Sequence, residues 1–143
     1  MNYRLSVYAN RVTGVNNVEL ACAGRVIKSY KCNFAGDNIK ENILRLIHKG
    51  LRFASAVVKH DDKLFIEVQN QHLVSWLMGR TEYKGYSELL DMVFSSIEMV
   101  DCQYKYIFEK NPKAKRATLS GEGKVVVENP CVGLDDLMEE LEG

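Results

Sequence analysis

The sequence lacks an excess of charge of either sign, because 19 Lys and Arg side chains balance 19 Asp and Glu side chains. The charge of the whole protein therefore gives no reason to expect a polyanionic partner, and only a local cluster of cations would favour nucleic acid. Charged residues make up 27% and hydrophobic residues 46% of the 143 residues. This composition excludes a disordered chain and is typical of one globular domain.

Long apolar runs and clustered cysteines are also missing. No run approaches the roughly 20 residues that cross a bilayer, and residues 1–10 alternate like a strand instead of forming a cleavable signal. The cysteines at positions 22, 32, 102 and 131 form no CxxC motif, which argues against structural zinc. We expect a cytoplasmic protein with buried free thiols and without a membrane partner or cofactor.

The hydrophobic pattern changes its period along the chain. Period-two alternation predicts strands at residues 3–8, 18–23 and 26–34, with a turn at 13–17 before the second strand. Helical spacing then predicts a helix from Asp37 or Asn38 to about Ala54, and further elements follow it: a strand at 63–68, helices at 70–78 and from 87, a strand at 104–108, and a helix start at Asn111-Pro112. The order predicts an α/β domain whose mixed five-stranded sheet, a three-strand antiparallel meander plus two further strands, is flanked by helices.

Two segments resemble the ribonuclease H family. Val-Gln-Asn-Gln-His-Leu-Val at 68–74, continued by Ser-Trp-Leu-Met-Gly at 75–79, is similar to the family's fourth strand and second helix. Residues 103–117, which end in Asn-Pro-Lys-Ala-Lys-Arg-Ala, are similar to its last strand and last helix start. The resemblance implies a ribonuclease H-like domain at 1–119, followed by an extension at 120–143 with a possible strand at 124–128 and an acidic amphipathic helix.

Four acidic groups in this family hold two Mg²⁺ ions, which activate a water and stabilise the leaving oxygen of a phosphodiester. Matched motif to motif, these positions fall at Tyr8, Glu41, Gln69 and Lys115. One carboxylate opposed by one ammonium attracts a hard dication weakly. The resemblance therefore implies a degenerate member with no catalytic residue and no metal, in which Lys115 pairs with Glu41 or meets a phosphate.

The first functional hypothesis is an inactive module that binds nucleic acid, RNA or an RNA-containing duplex. Five cations and one acid, Glu109, lie between positions 105 and 116, with aromatic residues interleaved at the start of this stretch. Such a surface neutralises phosphates and stacks on bases. The aromatic residues Tyr104, Tyr106 and Phe108 share one strand face, however, which is more typical of a core. The predicted nucleic-acid-binding residues are Lys105, Lys113, Lys115, Arg116, Arg11 and Lys84.

Two alternatives use the same scaffold. A protein-interaction module, including a homodimer, would bind its partner through an exposed strand edge or through the apolar stripe of the acidic helix, formed by Leu134, Leu137, Met138 and Leu141. A metal-dependent nuclease would use displaced acids, namely Glu41, Glu67 and Asp37, since Glu67 shares a strand face with Gln69.

Several of these residues also fit ordinary structural roles. Glu41 stands three residues after Asn38, as in a helix capping arrangement, while Gln69 and Asn70 suit a strand end and a helix cap. His48 is predicted on the polar, solvent-facing side of the first helix. Asp61-Asp62 is predicted to be a solvated turn.

Overall fold

A computed structural model describes residues 1–10, 12–33, 38–79, 85–115 and 126–128. Six strands and three helices are defined in these ranges: β1 (Asn2–Ala9), β2 (Val15–Cys22), β3 (Arg25–Asn33), α1 (Ile39–Val57), β4 (Lys63–Val68), α2 (Gln71–Leu77), α3 (Ser87–Glu98), β5 (Gln103–Phe108) and β6 (Val126–Glu128). None of the described helices is long and apolar enough to span a membrane.

The strands form one mixed sheet in the order β5-β4-β1-β2-β3-β6. The pairs β1–β2 and β2–β3 are antiparallel, whereas β4 lies parallel to both β1 and β5. This confirms the predicted meander and its two additional strands. The short β6 pairs in parallel with β3 and extends the sheet to six strands.

The apolar face of the sheet carries the helices. Leu5, Val18 and Leu20 are fully buried there, beneath α1. The helix approaches the sheet closely at Gly50, where a Cβ atom would stand 2.6 Å from Leu5 Cδ1 and 2.8 Å from Val18 Cγ2. Glycine at this point therefore sets the spacing between α1 and β1. On the same face, α2 covers β4 and β5, and α3 packs against α1.

The opposite face of the sheet is unusually polar for a buried surface. Ser6 of β1 is 1% exposed, and its partners in register are Glu19 of β2 and Glu67 of β4, which are 9% and 7% exposed. Asn17 of β2 is completely buried opposite Tyr8. Because buried polar groups need hydrogen-bond partners, this face must bind other polar groups of the protein.

The prediction for His48 was wrong. Its side chain is completely buried, and Nδ1 contacts the hydroxyl of Ser96 on α3, which in turn donates to the Met92 carbonyl over 2.8 Å. The apolar spacing of α1 identified the stripe that faces the sheet. The packing of α3 against a second side of α1 buries residues beyond that stripe.

Three smaller expectations also need correction. Residues 15–17, predicted as a turn, already belong to β2, because β1 pairs with β2 as far as Ala9. Helix α1 extends beyond Ala54 to Val57. Asp61 is exposed as predicted, but Asp62 is buried. The Asp62 carboxylate accepts a hydrogen bond from the Lys59 N–H over 2.8 Å and forms an ion pair with the Met1 ammonium over 3.0 Å.

Both predicted helix caps are present, whereas the described thiols are less buried than predicted. The Asn38 side chain accepts from the Glu41 N–H and caps α1, and the Asn70 side chain caps α2 through the Leu73 N–H. Cys22 and Cys102 are free thiols, half-buried rather than fully buried. The side chains of Cys32 and Cys131 lie outside the described residues.

Candidate functional site

The candidate site lies where β1 and β4 end side by side. The two strands run parallel with Ser6 opposite Glu67, so the same register brings Tyr8 opposite Gln69. The Gln69 amide continues this pairing beyond β4: its nitrogen donates to the Ala9 carbonyl over 3.0 Å, and its oxygen accepts from the Ala9 N–H. Only a side chain with both a donor and an acceptor can make this pair of bonds, which an aspartate carboxylate cannot.

The segment after β5 returns to the polar sheet face. We call residues 111–115, Asn-Pro-Lys-Ala-Lys, the lysine turn. The Ala114 N–H donates to the Ser6 hydroxyl over 2.8 Å, and the Asn17 amide donates to the Ala114 carbonyl over 3.1 Å. A third bond runs from the Lys113 N–H to Glu67 Oε1 over 3.4 Å. Side chains from three adjacent strands thus hold the backbone of one turn.

This anchoring places Lys115 beside the strand ends. Its ammonium lies 5.8 Å from the centre of the Tyr8 ring and 3.1 Å from Asn111 Oδ1, within the turn itself. The Tyr8 hydroxyl accepts from the Asn10 amide over 3.2 Å. Three of the four positions that the resemblance identified, Tyr8, Gln69 and Lys115, are therefore linked through direct contacts or through the shared strand end; we call them the strand-end cluster.

The described neighbours of the fourth position, Glu41, do not belong to the strand-end cluster. It lies in the first turn of α1 and lines a cleft of about 520 Å³ with Arg45 and with Tyr86 and Glu88 at the start of α3. The convergence of Glu41 with the strand-end cluster remains a prediction.

The available oxygen donors do not fit a pair of magnesium ions. Lys115 supplies a cation at the strand ends, and both polar atoms of Gln69 are engaged by the Ala9 backbone. Of the two displaced acids with described positions, Glu41 lies in the cleft at the start of α1, and the Glu67 carboxylate lies 3.6 Å from the Arg4 guanidinium and binds the lysine turn. Within the described ranges, no three His, Cys, Asp or Glu side chains are grouped so that they could hold a metal ion.

The remaining predicted residues occupy several environments. Lys105 of β5 and Lys113 of the lysine turn are exposed, and Lys115 is half-buried. Seven predicted site residues lie outside the described ranges: Arg11, Lys84, Arg116, Leu134, Leu137, Met138 and Leu141. Asp37 does so as well. Sequence reasoning missed Ser6 and Asn17, which are both buried, because Ser6 falls on the polar side of the alternation in β1 and Asn17 falls in the predicted turn.

Sequence comparisons find no relatives for this chain: no protein-family model matches it, and no curated protein does. Comparison with solved structures does find similar folds. The N-terminal RNase H domain of Rv2228c from Mycobacterium tuberculosis, solved as a fusion with maltose-binding protein, superposes with a TM-score of 0.66 at 10% identity and covers 98% of both chains.

Two further solved structures also superpose on this chain. RNase H1 from the archaeon Halobacterium salinarum gives a TM-score of 0.59 at 9% identity, over 85% of this chain and 98% of its own. LC11-RNase H1, solved in complex with an RNA/DNA hybrid, gives 0.51 at 12% identity, over 82% and 91%. Together with the strand order and the position of the strand-end cluster, these similarities show that the chain has the ribonuclease H-like fold.

Proposed function

We propose that this protein is a ribonuclease H-like module that binds nucleic acid, RNA or an RNA-containing duplex, without hydrolysing it. The observation that carries this proposal is the fixed lysine turn. Three side chains of the sheet hold its backbone; it places Lys115 beside the ends of β1 and β4, and the exposed Lys113 beside Arg4 on the polar sheet face. Fixed cations bind phosphates with a smaller loss of side-chain and backbone entropy than mobile ones.

The fold neighbours support the choice of ligand. One of them was solved with an RNA/DNA hybrid bound. In this chain the exposed lysines of β5 and of the lysine turn form a local cationic surface, which is what a protein with a formal net charge of zero requires for a polyanionic ligand.

The second part of the proposal, that the protein does not hydrolyse its ligand, rests on the charges of the site. A two-metal reaction needs several anionic oxygens aimed at one point. Here Lys115 brings a positive charge to the strand ends, and the Glu67 carboxylate is paired with Arg4. This arrangement disfavours the alternative of a nuclease with displaced acids.

Salt-dependent binding tests the interaction with nucleic acid. Fluorescence anisotropy with a labelled RNA/DNA hybrid should show affinity that falls with salt between about 50 and about 200 mM. The variant K113Q/K115Q should bind more weakly, and its slope of log affinity against log salt should shrink by about 0.9 for each phosphate that the variant no longer neutralises. The matched control K59Q/K63Q removes the same charge from exposed residues near the other end of β4 and should retain the wild-type slope. Equal slopes for both double variants would refute the proposed role of the lysine turn.

A second experiment tests inactivity. Wild-type protein should leave the hybrid intact in Mg²⁺ and in Mn²⁺, and calorimetry should detect no binding of Mn²⁺ at the strand ends. The variant Y8D/Q69D/K115D restores the four acids if Glu41 lies with them, and it should gain Mn²⁺ binding. Metal-dependent cleavage by the wild type that E67Q abolishes would overturn the non-hydrolytic assignment.

A further inference from the structure

A groove between α2 and β5 shares no lining residue with the strand-end cluster. It has a volume of about 310 Å³, at the small end of the range of roughly 300–1,000 Å³ for small-molecule sites. Val74 of α2 and Met78, which follows the helix, form an apolar wall, and Tyr106 and Phe108 of β5 supply aromatic rings. Gln71 of α2 adds an amide that can both donate and accept hydrogen bonds.

The aromatic residues of β5 are exposed to unequal degrees. Tyr106 is 4% exposed, and burial raises the pKa of its hydroxyl, so the group stays neutral. In contrast, Tyr104 is 49% and Phe108 44% exposed, and the neighbouring Met78 is 37% exposed. Because β5 ends the sheet order and α2 has seven residues, the helix covers the centre of the strand and leaves both ends uncovered.

One of the two exposed rings has a defined aromatic contact. Tyr104 packs edge to face against Tyr106, with ring centres 5.8 Å apart and planes at 76°. Tyr104 and Phe108 are four residues apart on one face, which corresponds to about 13 Å along the strand. Two exposed aromatic rings on one strand face, beside a groove with an amide, suit flat ligands with polar edges.

The charge around the groove favours an anionic ligand over a basic or apolar surface of another protein, and the aromatic rings favour a nucleic acid among anionic ligands. Lys105 lines the groove, and Lys110 is exposed at the end of β5. Glu109, the one acid between positions 103 and 115, accepts a hydrogen bond from the Asn111 N–H. Aromatic rings combined with lysines are the pairing that single-stranded nucleic acids require, since bases stack and phosphates need cations.

We propose that the groove between α2 and β5, with Tyr104 and Phe108 at its margin, binds unpaired bases of a single-stranded RNA segment. This inference rests on the proposed nucleic-acid function and extends it: the lysine turn contacts phosphates, and the groove takes the bases of a strand that leaves the duplex. Stacking is tolerant of sequence, so the groove selects unpaired over paired nucleotides rather than one base over another.

Binding to matched probes tests this. A labelled RNA/DNA hybrid with a single-stranded RNA overhang should bind the wild type between about fivefold and about 100-fold more tightly than the blunt hybrid, which corresponds to stacking of one base. The variants F108L and Q71A should lose this preference and keep the affinity for the blunt hybrid. F108Y should retain it, because the ring is preserved. Y104L offers an independent exposed position, and urea unfolding of each variant reports whether it folds.

The possible outcomes separate the two proposals. Equal affinity for overhanging and blunt probes would refute the groove while the duplex function stands, whereas no binding of either probe would refute the nucleic-acid function itself. If light scattering shows that the wild type self-associates and that F108L abolishes this without affecting RNA affinity, the groove is a protein contact and the inference fails.

Discussion

Replacing Ser6 by alanine tests the link between the polar sheet face and the cations that it positions. The Ser6 hydroxyl accepts the Ala114 N–H over 2.8 Å, and Ser6 and Ala114 are 1% and 0% exposed. In S6A the Ala114 N–H has no acceptor in an interior that water does not reach. The lysine turn then either stays in place with an unpaired donor or leaves the sheet.

The two outcomes have different costs. An unpaired buried N–H costs about 1–3 kcal/mol, whereas each intact hydrogen bond contributes about 0.5–1.5 kcal/mol net. In S6A two of the three bonds that hold the turn remain, and they stabilise it by about 1–3 kcal/mol, which equals the cost of the unpaired donor. We expect S6A to lower the free energy of unfolding by about 1–3 kcal/mol and to open the turn in a substantial fraction of molecules.

Three measurements follow this change. Urea unfolding gives the loss of stability, hydrogen exchange at the Ala114 amide reports opening of the turn, and anisotropy should show weaker hybrid binding although no charge was removed. S6T keeps the hydroxyl and should restore amide protection, while S95A, at an exposed position of α3, controls for the loss of a serine. If the Ala114 amide stays protected in S6A and hybrid affinity is unchanged, Ser6 does not position the lysine turn.

Three further predictions concern the scaffold. G50A should destabilise the protein by up to about 2 kcal/mol, because the cost of forcing a methyl group against Leu5 and Val18 exceeds the gain in helix propensity; an increase in urea midpoint would contradict this packing. For Asp62, the Lys59 N–H and then the Met1 ammonium hold the pKa below its ordinary value, so its stabilisation is complete above about pH 4 and is lost as pH falls. D62N should therefore be less stable than wild type at neutral pH, and this difference should shrink as the pH falls below about 4; a constant difference would exclude this origin. Q69D should lower the free energy of unfolding, measured in urea, by about 1–2 kcal/mol, because the Ala9 carbonyl loses its donor. The control Q69E/K115Q introduces the carboxylate on a side chain of the original length and removes the neighbouring ammonium, so that it separates the effect of charge from that of chain length.

The sequence predicted the elements whose signals are local. The alternation of residues 3–8 and the helical spacing after Asn38 correspond to β1 and α1, and Asn70 caps α2 as expected. His48 was misplaced because burial on the flank of α1 depends on α3, which is distant in sequence. Residues 15–17 have turn composition, yet they lie in a strand, where the Asn16 amide donates to the nearby Gly14 carbonyl and the Asn17 amide donates to the Ala114 carbonyl, which is distant in sequence.

The candidate site was only partly predictable, because its contacts also join residues that are distant in sequence. The motif match identified Gln69 and Lys115 as positions of interest, but the partners that define their roles come from other parts of the chain. The aromatic residues of β5 were expected to share a core face. Only the central one, Tyr106, is buried, because the length of α2 and the edge position of β5 decide the coverage.

The direction of the polar groups is the reason for proposing binding and not hydrolysis. A metal site needs oxygen atoms that the protein leaves available to the ion. Here Gln69 binds the backbone of Ala9, and Ser6 and Glu67 bind the backbone of the lysine turn. Each of these groups would have to break a bond to a protein partner before it could coordinate a cation, and each now fixes a backbone segment instead. The same bonds that oppose metal coordination hold the backbone that carries Lys113 and Lys115, and under the proposed function this lowers the entropy cost of phosphate recognition.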